Sequence, residues 1–226
     1  MQVEIWSVPG LSEADCQAME GLYRAHYDGA PAEAFRRDLA VKERAILLRD
    51  AEGVRGFSTL RRLTVGGRKV LFSGDTVVAA SCRNQTGLAG AFGHVMQRLA
   101  QEGGEPYRWL LICKGARTYR FLPTFFRHFT PGAVEEPALA AELRAIASEL
   151  FPDAYDPSTG VLHFAADKDR LRTDVLRRDP ESVRFRTLNP GWTQGDELCC
   201  LAPLDLGNLN ALGWRVIRDV APVWYE

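Results

Sequence analysis

The chain has 226 residues, 46% of them hydrophobic, which fits one large domain with enough apolar residues for a core. Its 28 Lys and Arg residues against 29 Asp and Glu residues leave a formal net charge of -1, so no overall positive field favours nucleic acid or an anionic membrane. We therefore predict a globular protein in which any basic site is local.

The N-terminal sequence has neither the basic start nor the apolar run of a signal peptide. No apolar stretch approaches the roughly 18 residues that span a bilayer. We therefore expect a cytoplasmic protein. The five cysteines include no C-x-x-C pair and the four histidines lie far apart, so the sequence predicts buried, reduced thiols rather than disulfides or a zinc site.

The N-terminal residues predict a strand over 3–8 and a helix that begins after Ser12 as its N-cap and runs toward Tyr27. The helix has a candidate apolar stripe formed by Ala18, Leu22 and Ala25. A second helical segment is expected after residue 31.

Three antiparallel strands are predicted next, over 44–49, over 54–63 and from residue 70. A tight turn at Gly53 joins the first two, and a turn at Gly66-Gly67 leads into the third.

The strand over 70–78 is followed by the polar loop Arg83-Asn84-Gln85-Thr86-Gly87 and by a helix. In this helix, apolar residues at helical spacing predict a core-packed face: Leu88, Phe92, Val95, Met96 and Leu99. Backbone N–H groups in the first turn of a helix have no intrahelical partner, and the helix dipole adds positive charge, so this segment predicts a phosphate site. An alternative is an ordinary turn at Gly87.

Gly103-Gly104 ends this helix, and the continuous apolar run within 107–114 predicts a buried strand. A strand–helix–strand crossover of this kind usually joins parallel strands.

This order of elements resembles the GNAT superfamily of acyl-CoA-dependent N-acetyltransferases over residues 1–130. In that superfamily the loop carries Arg or Gln, then x-x-Gly-x-Gly or x-x-Gly-x-Ala. One register puts Asn84 at the Arg or Gln position and matches Gly87 and Ala89. The other starts from Arg83 and puts Thr86 at the glycine position.

The resemblance implies an α/β fold with a central mixed sheet, an antiparallel meander, a CoA-binding crossover and flanking helices. It implies that the pantetheine arm of acetyl-CoA or another acyl-CoA lies between strands 70–79 and 107–114 and pairs with the backbone near Val77 and Val78. The implied residues around the CoA phosphates are Arg83, Asn84, Gln85, Thr86, Gly87, Leu88 and Ala89.

Acyl transfer to an amine needs a base for the amine and a proton for the departing thiolate. The candidate base is Asp75, the acidic residue of its strand, predicted to share a face with Ser73 and Val77. Its alternative role is structural, at a bulge. The resemblance implies Tyr119 as the acid, and the alternative is that Tyr119 packs in an aromatic core.

The segment around Tyr119 is locally basic, and Pro123 predicts a break in its helix. Its basic residues are Lys114, Arg117, Arg120 and Arg127. Together with Arg83 or Arg98, they are candidates to bind the 3′-phosphate of CoA or an acidic carrier protein. The alternative is that they form a solvated face.

The C-terminal part predicts a helix with Leu139, Leu143, Ile146 and Leu150 on one face. It then predicts a strand over 161–164, and an exposed helix followed by a strand over 168–186. A buried strand is predicted over 197–202, with Cys199 and Cys200 facing opposite ways. A short helix and a strand over 214–217 close the chain. We predict a single domain over 1–226, with 132–182 either a helical insertion or an elaboration of the acceptor side.

The predicted activity is transfer of an acetyl or other acyl group from a CoA thioester to an amine of a small molecule or protein, without a metal. The alternatives are an enzyme that takes its acyl group from an acyl carrier protein, one with a hydroxyl acceptor, and a non-catalytic CoA-binding or interaction module. A monomer or homodimer is expected, with neither nucleic acid nor a membrane as partner.

Overall fold

A computed structural model of the protein describes residues 1–28, 33–82, 86–164, 170–171 and 178–226. The first half of the chain forms, in order, β1 (Gln2–Ser7), α1 (Glu13–His26), β2 (Tyr27–Asp28), α2 (Ala34–Ala40), β3 (Arg44–Asp50), β4 (Gly53–Val65), β5 (Arg68–Val78), α3 (Gly87–Gln101) and β6 (Arg108–Cys113). The second half forms α4 (Ala116–Tyr119), α5 (Phe121–Phe125), α6 (Pro137–Leu150), β7 (Tyr155–Asp156), β8 (Val161–Leu162), β9 (Arg170–Leu171), α7 (Pro180–Leu188), β10 (Glu197–Pro203), α8 (Ala211–Arg218) and β11 (Val223–Tyr225).

Nine of these strands form one mixed sheet in the order β11-β1-β3-β4-β5-β6-β10-β8-β7. Strands β1, β3, β4 and β5 pair antiparallel in succession, and β6 pairs parallel with β5 through the crossover helix α3. Strands β2 and β9 form a separate antiparallel pair. The predicted mixed α/β sheet, its antiparallel meander and its parallel crossover are confirmed.

Local sequence signals account for the boundaries of several elements. The Ser12 hydroxyl accepts a hydrogen bond from the Asp15 N–H at 3.1 Å, which caps α1 as predicted. Gly53, Gly66 and Gly67 have φ angles of +109°, +55° and +78°, so the two hairpin turns need glycine.

Helices cover both faces of the sheet. On one face, Ile46 and Leu48 of β3 belong to a core cluster with residues of α3, α4, α5, α7 and α8. On the other face, Ala45 and Leu47 pack with residues of α1 and α2, while α6 covers β6 and β10. Cys199 and Cys200 lie in the clusters on opposite faces, as predicted.

Three sequence predictions were wrong about an element. Residues 214–217 form part of helix α8 rather than a strand, because the Asn210 side chain caps a helix there by accepting from the Gly213 N–H at 2.9 Å. Within 168–186, residues 168–169 and 172–177 lie outside the described residues; in the described remainder, strand β9 precedes helix α7, which reverses the predicted order. In α1 the fully buried apolar residues are Met19 and Tyr23; of the predicted stripe, Ala18 and Leu22 are partly buried against the same core cluster, whereas Ala25 is exposed.

The break predicted at Pro123 falls earlier. Helices α4 and α5 are separated at Arg120, and Pro123 is the third residue of α5. This position lies in the first turn, where a missing N–H costs no intrahelical bond.

Candidate active site

Strands β5 and β6 separate within the sheet. Their parallel pairing runs from Val70 opposite Arg108 to Ser73 opposite Leu111 and ends there. On its other edge β5 stays paired with β4 as far as Val78, which lies opposite Gly56. A gap therefore opens between β5 and β6 toward their C-terminal ends.

A β-bulge in β5 lies at the start of this gap. Ser73 is opposite Leu60 and Thr76 is opposite Ser58, so Gly74 and Asp75 together face the single residue Thr59. A bulge adds one residue to one strand and shifts the alternation of its side chains, so Ser73 and Thr76 point to the same face.

Gly74 is required at the bulge by close packing. A Cβ atom there would lie 2.7 Å from Thr59 Oγ1 and 2.9 Å from Lys42 Cε. Lys42 is itself buried, with its Nζ 2.8 Å from an Asp38 carboxylate oxygen and 5.0 Å from the centre of the Phe72 ring. A side chain at residue 74 would therefore displace the buried Lys42 side chain, which pairs with the exposed Asp38.

A cavity of about 280 Å³ lies beside the gap, on the face of the sheet that α3 covers. Ser58, Ser73 and Thr76 form its hydroxyl-bearing floor. Ser58 Oγ and Thr76 Oγ1 are 2.8 Å apart, and Ser73 Oγ accepts a hydrogen bond from Trp109 Nε1 at 2.9 Å. The cavity is otherwise lined mainly by apolar side chains: Ile46, Val78, Leu88, Ala89, Phe92, Trp109, Leu111, Phe121 and Phe125.

The first turn of α3 forms one wall of the cavity through Thr86, Leu88 and Ala89. Because the Thr86 side chain makes no capping hydrogen bond, it leaves the first-turn N–H groups for another acceptor. A Cβ atom at Gly87 would lie 2.8 Å from Leu48 Cδ2, so this glycine lets the helix begin close against the sheet. Arg83, Asn84 and Gln85 lie outside the described residues.

His26 and Lys114 bring basic groups to the cavity. His26 Nε2 lies 3.0 Å from the Val78 carbonyl oxygen, which ties the end of α1 to the end of β5. Lys114 Nζ lies 3.6 Å from a Glu197 carboxylate oxygen and 4.8 Å from the centre of the Tyr27 ring. His26 is not predicted from the sequence, because nothing in the spacing of the chain shows that the last turn of α1 reaches the end of β5.

The residues of β5 that the sequence predicted as site residues differ in their position relative to the cavity. Val78 lines the cavity. Because the Ala79 N–H donates to the Arg55 carbonyl at 2.8 Å on the β4 side, the backbone of Val78 faces the gap. The Val77 side chain is buried on the opposite face, among residues of α1 and α2. Asp75 is half-buried in the bulge and is not among the described residues that line the cavity.

Tyr119 is buried in the core. Its hydroxyl donates to the Pro131 carbonyl at 3.0 Å, and its ring centre lies 5.9 Å from that of Phe185. Burial raises the pKa of the phenol well above its usual value. Tyr119 is absent from the described lining of the cavity, so these contacts favour its packing role, and its catalytic role stays a prediction.

The predicted basic residues do not form one cluster. Lys114 and Arg117 line the cavity, whereas Arg120 Nε lies 3.4 Å from an Asp179 carboxylate oxygen. Arg127 is exposed. Arg98 lies in the last turn of α3, over the Trp224 ring, at the opposite end of the helix from the predicted phosphate site.

Among the described residues, no group of three or more His, Cys, Asp and Glu side chains is arranged to hold a metal ion. Within the same parts of the chain, no helix combines the length and apolar character that crossing a membrane requires.

No family model matches the sequence, and no curated protein matches it. The fold is similar to that of a GNAT family N-acetyltransferase (YhbS) from Escherichia coli in complex with CoA, at 16% identity over 55% of this chain and 69% of that one, with a TM-score of 0.40. It is also similar to an aminoglycoside 6′-N-acetyltransferase complexed with coenzyme A, at 14% identity over 91% of this chain and 98% of that one, with a TM-score of 0.45. The likeness concerns the arrangement of strands and helices and assigns no residue a role.

Proposed function

We propose that this protein is an acyltransferase that moves an acyl group from a CoA thioester to an amine. The observation that carries the proposal is the gap between the parallel strands β5 and β6, with the N-terminus of α3 and a cavity at the same place. A gap in a sheet exposes backbone donors and acceptors to a linear ligand, and a helix N-terminus attracts phosphate.

In this proposal the pantetheine arm lies in the gap. Its amides exchange hydrogen bonds with the backbone of β5 near Val78, whose N–H and C=O face the gap and whose carbonyl oxygen also lies 3.0 Å from His26 Nε2. The pyrophosphate accepts hydrogen bonds from the first-turn amides of α3, at Gly87, Leu88 and Ala89, with Arg83 as the charged partner. Gly87 and Ala89 add little bulk where the helix must approach both the sheet and the phosphates.

The reaction requires a neutral amine, because a protonated amine has no lone pair. The amine nitrogen attacks the thioester carbonyl carbon, the new C–N bond forms, and the C–S bond breaks with its electron pair on sulfur. We assign Asp75 to remove the proton from the amine, directly or through a water molecule. The departing thiolate is a weak base, since thiols have a reference pKa near 8.5, so water can supply its proton if Tyr119 does not.

Binding is the first test. Calorimetric titration with acetyl-CoA and CoA at fixed salt is expected to give saturable binding, weakened about 10- to 100-fold in Arg83→Ala by loss of a charged phosphate contact. Arg98→Ala is the matched control, since Arg98 lies at the other end of the same helix. Lack of binding in the intact protein would overturn the proposal of a free CoA donor.

Turnover is the second step of the same test. Release of free CoA thiol is measured against a panel of small-molecule amines, which we propose as acceptors, and with an acylated carrier protein as the competing donor. Asp75→Asn is expected to lower kcat by about 10²- to 10⁴-fold if Asp75 acts as the base. CoA binding without turnover on any amine, and without an effect of Asp75→Asn, would instead support a CoA-binding module.

We further propose that residues 132–182 belong to this domain. Helix α6 covers the sheet face opposite the cavity through Leu139, Leu143 and Ile146. Arg184 of the following helix donates to the Gly132 carbonyl at 3.4 Å, which ties the two ends of the segment together.

A further inference from the structure

The cavity extends well beyond the gap in the sheet. Trp109 is opposite Leu71, within the paired part of the β5–β6 ladder, and Ile46 reaches the same space from β3. Across from them lie aromatic rings of α3 and α5. We call this space the aromatic chamber and define it by Ile46, Phe92, Trp109, Phe121 and Phe125.

The rings of the chamber hold one another in place. The Phe92 and Trp109 ring centres are 4.1 Å apart, Trp109 and Phe121 are 5.4 Å apart, and Phe121 and Phe125 are 4.8 Å apart. Aromatic contacts of this kind add about 0.5–1.5 kcal/mol each to the burial of the rings. Mutual packing therefore fixes the rings that surround the chamber, so the chamber has a defined shape.

The size of the cavity exceeds what an acetyl group fills. In another protein, a dry cavity of about 150 Å³ lined by Leu, Ile and Phe is large enough to hold a benzene molecule. The cavity here has a volume of about 280 Å³. This volume includes the part of the cavity beside the start of α3, which the pantetheine arm is proposed to enter. An acetyl group adds only one methyl beyond the carbonyl, so it would fill little of the space that the chamber residues enclose.

The polar groups of the cavity do not attract a protonated amine. The Ser58 and Thr76 hydroxyls bond each other, and the Trp109 indole N–H is satisfied by Ser73. No carboxylate is among the described residues that line the cavity, whereas His26, Lys114 and Arg117 are basic. A protonated amine therefore finds no opposite charge here, while an apolar chain needs none.

We propose that the aromatic chamber receives the acyl chain of the donor, and that the preferred donor carries an apolar chain several carbons longer than acetyl. This inference rests on the proposed function, because the chain enters the chamber from a thioester in the gap. The donor is the favoured occupant over the acceptor because the chamber is continuous with the gap, through Ser73 at its edge and Leu111 opposite.

The test is a calorimetric series with acetyl-, butanoyl-, hexanoyl-, octanoyl- and palmitoyl-CoA. Each buried methylene is expected to tighten binding about fourfold until the chamber is full, after which affinity levels off or falls. If the longer acyl-CoAs bind no more tightly than acetyl-CoA, this inference is overturned, whereas the proposed function remains intact. Absence of binding by every thioester and by CoA would overturn both.

Two variants change the chamber in opposite directions. Ser58→Leu fills it from the floor and is expected to shift the tightest-binding chain to a shorter length. Phe125→Ala opens it at α5 and is expected to shift the optimum to a longer chain, so it decides the question if Ser58→Leu does not fold. An optimum that stays at the same chain length in a folded Phe125→Ala protein contradicts the assignment.

Phe151→Ala is the matched control. Phe151 is also half-buried, but its ring packs on Phe72 at 6.2 Å on the opposite face of the sheet. It loses the same aromatic ring without touching the chamber, so its chain-length optimum is expected to equal that of the unmodified protein.

Discussion

Individual residues decide which side chains meet in the cavity. The extra residue at Gly74 and Asp75 reverses the alternation of β5, so Thr76 and Val78 share the cavity face with Ser73 while Val77 turns away. Without the bulge, the predicted face of Ser73, Asp75 and Val77 would follow from simple alternation. A bulge depends on the partner strand, here on Thr59, and the sequence of β5 alone does not reveal it.

Tyr119 offers a sharp test at this scale. Tyr119→Phe removes the hydroxyl that donates to the Pro131 carbonyl but keeps the ring, so we expect a loss of about 1 kcal/mol in the free energy of unfolding and an unchanged kcat. Urea unfolding and steady-state kinetics measure the two quantities. A large fall in kcat with unchanged stability would instead support the predicted role of Tyr119 as the acid.

At the scale of elements, α3 and α8 approach each other closely at two glycines. A Cβ atom at Gly90 would overlap Val220, and one at Gly93 would overlap Ile217. His94 Nε2 adds contacts to the carbonyl oxygens of Ile217 and Val220 at 3.1 Å and 2.7 Å. Because α3 also carries the predicted phosphate site at its N-terminus, its packing against α8 helps to fix the position of that site.

Gly93→Ala tests this contact. Alanine improves helix propensity by up to about 1 kcal/mol, but overpacking against Ile217 costs about 1–3 kcal/mol, so we expect a net loss of stability in urea unfolding. Gly21→Ala is the matched control, because Gly21 lies in α1 with nothing within 4 Å of an added Cβ. We expect the control to be stabilised, and equal behaviour of the two variants would refute the close approach.

The elements that the sequence predicted well are those whose signal is local. Ser12 caps α1, Gly53 makes a hairpin turn, and the apolar face of α3 follows the helical period. The failures came from short apolar runs such as 214–217, where four residues fit a strand and a helix equally and the cap at Asn210 decides. Similarly, no local signal shows that His26 meets Val78, because 52 residues separate them.

At the scale of the whole molecule, ion pairs join parts of the chain that are far apart in sequence, although the net charge is close to zero. Arg49 in β3 bonds Glu4 in β1 at 3.2 Å and Asp15 in α1 at 2.7 Å. Burial acts to raise the pKa of Asp15, but hydrogen bonds from Ser12 and Arg49 outweigh it and hold that pKa below its usual value.

This lowered pKa predicts how stability depends on pH. A carboxyl whose pKa is lower in the folded state stabilises the protein above its unfolded value, near 3.9, and loses that contribution as pH falls through the folded value. We expect urea unfolding to give a stability that falls below about pH 4. Arg49→Met should reduce stability at pH 7 by about 1–3 kcal/mol and flatten this fall.

Arg24→Met is the control for the pH prediction, because Arg24 is 54% exposed and pairs with Glu20 on the surface of one helix. Its effect on the free energy of unfolding is expected to stay below about 0.5 kcal/mol. An unchanged pH profile in Arg49→Met would show that the pairs of β1, α1 and β3 do not govern acid stability.

The position of Trp109 gives the protein a built-in optical reporter. Of the five tryptophans, Trp109 is the one that lines the cavity in the described part of the chain, with its indole N–H bonded to Ser73. An occupant of the chamber would contact this indole and change its emission wavelength and yield. Trp109→Phe would remove that change while retaining the four other fluorophores, so intrinsic fluorescence can follow donor binding in real time without any label.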